Sequence, residues 1–141
     1  MFHRLLKKPQ SSFLLLGPRG SGKTTWLKEN FTQAESIFYD LLDPKLQRQF
    51  MRRPESLETE LLALSKKIKW VVIDEVQKIP RLLDVVHKSI ENKKLNLKFA
   101  LTGSSARKLK RGAANLLAGR ADSLQLFPLT SFEIGSDFKL N

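Results

Sequence analysis

No cysteine occurs among the 141 residues. That absence excludes a disulfide scaffold, a thiolate nucleophile and any zinc or iron–sulfur centre held by cysteine. Histidine is nearly as scarce. His3 and His87 stand 84 positions apart, too far in sequence to suggest a histidine-built metal site. Long hydrophobic runs are missing too: the longest, Phe13–Leu16, Leu61–Leu64 and Trp70–Ile73, hold four residues each, against the ~18 or more of a membrane span. The basic start, Met1 to Lys8, is followed only by Phe13–Leu16, too short for the core of a signal peptide. These gaps predict a soluble, cytoplasmic protein with no membrane partner.

Acidic residues are also in deficit. Fourteen Asp and Glu face 25 Lys and Arg, a net charge of +11, and the imbalance is uneven. From Val85 to Ala121 there are nine Lys or Arg and a single acid, Glu91. Such a segment suits a polyanion such as a nucleotide or nucleic acid, and equally a solvated basic face. Arg107-Lys-Leu-Lys-Arg111 concentrates the charge. It predicts an exposed, solvated loop, with contact to DNA phosphates through residues 107–111 as the alternative, since no aromatic residue is interleaved there for base stacking. The length gives one domain, 1–141, and 41% hydrophobic residues suffice for a core.

Strand-like and helix-like segments alternate along the chain. Phe13–Leu16, Ile37–Tyr39, Trp70–Asp74, Phe99–Thr102 and Ser123–Phe127 read as strands. Lys23–Asn30, Pro44–Met51, a better helix from Pro54, the Leu82/Val86/Ile90 segment and Ala113–Gly119 read as helical. In the helix from Pro54, Leu57, Leu61 and Leu64 form the apolar stripe, and Lys66 and Lys67 close it. Three strands have no polar face, so the fold is α/β, with a parallel sheet covered by helices on both faces. Trp26 and Trp70 fall at core spacing, and His87 reads as a surface residue.

Gly17-Pro-Arg-Gly20-Ser-Gly22-Lys23-Thr24 fits G-x-x-x-x-G-K-[ST], the Walker A pattern, at every fixed position. A loop that closes around an anion turns several backbone N–H groups inward, and glycine permits the dihedrals this demands. The following helix adds its free N–H groups and its dipole. The nucleotide-binding stretch is therefore Gly17, Pro18, Arg19, Gly20, Ser21, Gly22, Lys23, Thr24 and Thr25, with the Arg19 side chain itself read as solvated. Lys23 can reach the β- and γ-phosphates, and Thr24 can ligate Mg²⁺.

Some 46 residues after the loop, Trp70-Val-Val-Ile-Asp74-Glu75 ends a buried strand on two carboxylates, the Walker B pattern. Ligands of open parallel sheets sit at the carboxyl ends of the strands. Asp74 is expected to hold Mg²⁺ and Glu75 to act as general base on the attacking water.

These motifs, with Asp74-Glu-Val-Gln-Lys-Ile-Pro80, Leu101-Thr-Gly-Ser-Ser105, Leu117-Ala-Gly-Arg120 and Leu126-Phe-Pro-Leu-Thr130 in this order, resemble one family. It is the group of AAA+-type P-loop ATPases of bacteria and archaea that continue into a C-terminal domain of restriction-endonuclease-like fold. The resemblance covers about residues 12 to 133. It implies a P-loop NTPase core with a five-stranded parallel sheet of order 5-1-4-3-2, and ATP and ADP rather than guanine nucleotides. It gives Thr102 or Ser104 the role of sensor 1, touching the attacking water or the γ-phosphate. Arg120 becomes the candidate finger supplied in trans, with a salt bridge as the alternative. The family's helical lid has no counterpart before Asn141. The chain is therefore expected to be a core truncated before that lid, monomeric by itself and oligomeric in a full-length protein. Two functions stay open: Mg²⁺-dependent ATP hydrolysis, and a nucleotide-dependent switch or DNA-interaction module with little turnover.

Overall fold

The structure is a computed structural model that describes residues 7–17 and 22–103, and the backbone of 122–125. The element order is β1 (Phe13–Leu16), α1 (Lys23–Asn30), β2 (Ser36–Asp40), α2 (Pro44–Arg52), α3 (Ser56–Leu62), β3 (Trp70–Asp74), a 3₁₀ turn (Val76–Lys78), α4 (Leu82–Glu91), β4 (Lys98–Gly103) and β5 (Asp122–Gln125). The strands form one sheet in the order β2-β3-β4-β1-β5, every neighbouring pair parallel. Parallel strands need crossover connections, and here helices supply those between β1 and β4 in the chain.

Successive side chains of a strand point to opposite faces, and both faces of this sheet are covered. Phe13 and Leu15 of β1, Trp70 and Val72 of β3 and Ala100 of β4 pack against Trp26, Leu27 and Phe31 from α1 and its end. Phe31 and Trp70 meet edge to face with ring centres 4.9 Å apart, and Trp26 does the same to Phe13 at 5.7 Å. The alternate positions, Leu14, Leu16, Val71, Ile73, Phe99 and Leu101, join Phe50 of α2, Leu57 and Leu61 of α3 and Leu82 and Val86 of α4. Both tryptophans are core residues, as their spacing predicts.

Three sequence readings change. The helix from Pro54 is the shorter of its pair: α3 ends at Leu62, and Lys66 and Lys67 lie in the following loop rather than in a last helical turn. Its N-cap, Glu55, makes no side-chain cap, whereas Asp43 accepts a hydrogen bond from the Lys45 N–H and precedes Pro44, anchoring α2. His87 is half-buried and faces Glu91 one turn on, at 3.6 Å. The helix expected at Ala113–Gly119 and the end of the last strand, Leu126 and Phe127, lie outside the described residues. Among the described residues no helix is long and apolar enough to cross a membrane.

Candidate functional site

The site forms at the carboxyl end of the sheet. Asp74 follows Trp70 and Val72 on the α1 face of β3, and Thr102 follows Ala100 on the same face of β4. Thr24 stands opposite, in the first turn of α1. Its hydroxyl donates to Asp74 Oδ2 at 2.9 Å. The Thr102 hydroxyl donates to Asp74 Oδ1 at 2.5 Å and accepts from the Glu75 N–H at 2.9 Å. Both Asp74 and Thr102 are buried. A threonine hydroxyl has one proton, and that of Thr102 is committed to Asp74. Thr102 thus braces the end of β3.

Glu75 leaves β3 with φ 63° and ψ 48°, the left-handed region that a glutamate enters only at a cost. The Thr102 hydroxyl bond to its N–H helps offset that cost. The turn swings the Glu75 side chain into the Val76–Lys78 turn, where Gln77 Nε2 donates to its Oε2. Sequence reasoning passed over Gln77. Its only signal was an amide two positions after the acid, and the two meet only because the backbone turns between them.

Lys23 is buried at the start of α1, and its Nζ donates to the Gly17 carbonyl at 2.7 Å. Burial lowers its pKa, while the negative charges of Glu75 and Asp74 oppose that shift. Gly22 caps α1 with φ 91°, a conformation that glycine adopts freely. The Gly17 N–H donates to the Gly103 carbonyl at 3.2 Å, tying the start of the loop to the end of β4. Thr25 is exposed on α1. Pro18, Arg19, Gly20, Ser21, Ser104, Arg120 and the basic stretch 107–111 lie outside the described residues. A cavity of about 420 Å³ borders Thr24 and Asp74 and runs between α1 and β2, walled by Leu27, Phe31 and Phe38.

A hydroxyl and a carboxylate share a hydrogen bond here beside a buried lysine and a second carboxylate, at the opening helix after β1. A protein-family model described as AAA domain matches residues 9–135. The uncharacterized protein Rv2008c of Mycobacterium tuberculosis is 32% identical over 123 residues, 87% of this chain and 26% of that protein. An AAA domain-containing protein of Schizosaccharomyces pombe, C328.04, is 30% identical over 76 residues, 52% of this chain and 10% of that one. Among solved structures, PCH-2 of C. elegans aligns with a TM-score of 0.56 and 17% identity, over 86% of this chain and 36% of that chain, a likeness of fold. The chain spans about a quarter of the length of the mycobacterial relative. By the family match, over most of its length, this chain belongs to the AAA-domain family of nucleotide-binding, ATPase-like proteins.

Proposed function

We propose that the chain binds ATP along Gly17–Thr25 and hydrolyses its terminal phosphoanhydride with Mg²⁺. One observation carries the reading: two adjacent pairs far apart in sequence, Lys23-Thr24 and Asp74-Glu75, meet at one end of the sheet, Thr24 bonded to Asp74, Thr102 bonded to Asp74 and Glu75, and Lys23 within reach of both carboxylate charges. The Thr24 hydroxyl and Asp74 carboxylate are hard oxygen donors, and Mg²⁺ takes one or two such groups with phosphate oxygens and water completing its octahedron. When bound, the ion would offset charge on the phosphates. Lys23 would exchange the Gly17 carbonyl for β- and γ-phosphate oxygens. Glu75 would take a proton from the attacking water as the bond between the γ-phosphorus and ADP breaks, leaving ADP and inorganic phosphate. Thr102 would hold Asp74 and the Glu75 backbone in place rather than touch the phosphate. Ser104 would take the sensor role and Arg120 that of the finger in trans.

The rival reading, a switch that binds nucleotide and barely turns it over, draws support from one feature. Gln77 Nε2 donates to Oε2 of Glu75 and draws the carboxylate toward the Val76–Lys78 turn, so one of its two oxygens is already engaged. Both readings need the loop. Lys23→Ala removes the cation that reaches the phosphates, and affinity for a fluorescent ATP analogue should fall at least tenfold, ~1.4 kcal/mol. Equal affinity in wild type and variant would remove the nucleotide site itself.

A further inference from the structure

The opposite pole of the sheet carries charge for which the proposed reaction has no use. At the amino ends of β3 and β4, two neighbouring segments, the loop 63–69 and residues 92–98 that lead into β4, hold six lysines, Lys66, Lys67, Lys69, Lys93, Lys94 and Lys98, and no acid. All six are exposed. None of them pairs with a carboxylate among the described residues. Lys98 lies over the Trp70 ring at 5.7 Å, and Lys8 joins the same pole at 5.2 Å from that ring.

The loops are ordered turns. Ser65 Oγ accepts from the Lys67 N–H at 3.2 Å, and Asn92 Oδ1 from the Lys94 N–H at 3.1 Å. Asn96 sits at φ 49°, which asparagine tolerates better than most residues. A backbone bond from the Lys98 N–H to the Lys69 carbonyl, at 3.0 Å, ties one loop to the other. Between them lies a groove of about 430 Å³ lined by Lys66, Lys69, Lys94, Ser65 and Asn96 together with five leucines and Ile68. It is separated from Asp74 by the length of β3, roughly 13 Å.

We propose that this groove binds the phosphate backbone of duplex nucleic acid without reading its bases. Fixed turns hold like charges together at a cost in mutual repulsion, and a polyanion that releases its counterions reverses that cost. No aromatic side chain lines the groove, so base stacking is not on offer, while hydroxyl, amide and ammonium groups suit phosphate oxygens. An anionic membrane fits less well. Of the leucines that line the groove, Leu61 is buried, Leu64, Leu95 and Leu97 are half-buried and Leu62 alone is exposed, so little apolar surface is offered to a bilayer.

The test is fluorescence anisotropy of a labelled random-sequence duplex DNA, titrated at several salt concentrations. The triple variant Lys66→Ala/Lys69→Ala/Lys94→Ala should bind at least tenfold more weakly at low salt. Its log K against log[salt] should be shallower by ~0.9 for each phosphate no longer neutralised, so by roughly 2 to 3. A charge-matched control on α2, Lys45→Ala/Arg48→Ala/Arg52→Ala, should bind like wild type. An equal loss in both variants would reduce the effect to net charge and overturn the groove. So would loss only when Arg107, Lys108, Lys110 and Arg111 become alanine. Absence of DNA binding by wild type, with cosedimentation on phosphatidylglycerol vesicles, would overturn it in favour of a membrane.

Discussion

Thr102 is the residue on which the proposed site hangs. Its hydroxyl satisfies one oxygen of Asp74 and the N–H of Glu75 together, the first bond buried and the second partly so. Removing one partner of a buried hydrogen bond costs ~1–3 kcal/mol, because the group left behind stays desolvated. Thr102→Val keeps the shape and removes the hydroxyl, so denaturant unfolding should show a loss of that size, with Thr102→Ser recovering most of it. Equal stability in the valine variant would mean that the hydroxyl braces nothing. Lys23, Thr24, Asp74 and Glu75 were legible in the sequence because each sits at a fixed place in a motif. The bracing role of Thr102 was not: the expected strand order already set β4 beside β3, but the register that brings the Thr102 hydroxyl level with Asp74 is a tertiary fact. Gln77 was missed for the related reason that only a left-handed Glu75 brings it near.

Among the elements, the packing of β2 against α2 and α3 makes its own prediction. Tyr39, the single tyrosine of the chain, is buried on that face with its ring 5.7 Å from Phe50. Burial, then the negative charge of Glu60, raises its pKa well above the ordinary phenol value. The folded protein therefore keeps the phenol neutral at a pH where the unfolded chain ionises it. This contribution to stability is intact below pH ~10 and lost as the pH rises above it. Tyrosinate absorbance should stay absent from the folded protein above pH ~10 and appear together with unfolding; ionisation near pH 10 with the fold intact would contradict the packing. The alternation of elements could be read because buried parallel strands are short, continuous apolar runs. The end of α3 could not. Leu64 continues the leucine spacing past Leu62, and periodicity alone does not reveal that the chain has already turned.

For the molecule as a whole, the sheet separates two kinds of surface. The carboxyl ends of the strands carry the acids and the buried lysine of the proposed nucleotide site, and the two segments at the amino ends of β3 and β4 carry six lysines and no acid of their own. The AAA-domain match spans residues 9–135 and so takes in both poles, and the chain's excess of positive charge is concentrated partly at the second. The central claim is that this core turns ATP over, with Glu75 as the base. It is tested most directly by measuring phosphate release with Mg²⁺ and ATP for wild type and Glu75→Gln, with nucleotide affinity measured on the same samples. The amide keeps the size of the side chain but cannot accept the proton. The account predicts unchanged affinity and turnover lower by ~10²–10⁴-fold. Phosphate release at the wild-type rate in Glu75→Gln, or none from wild type that binds ATP, would contradict it.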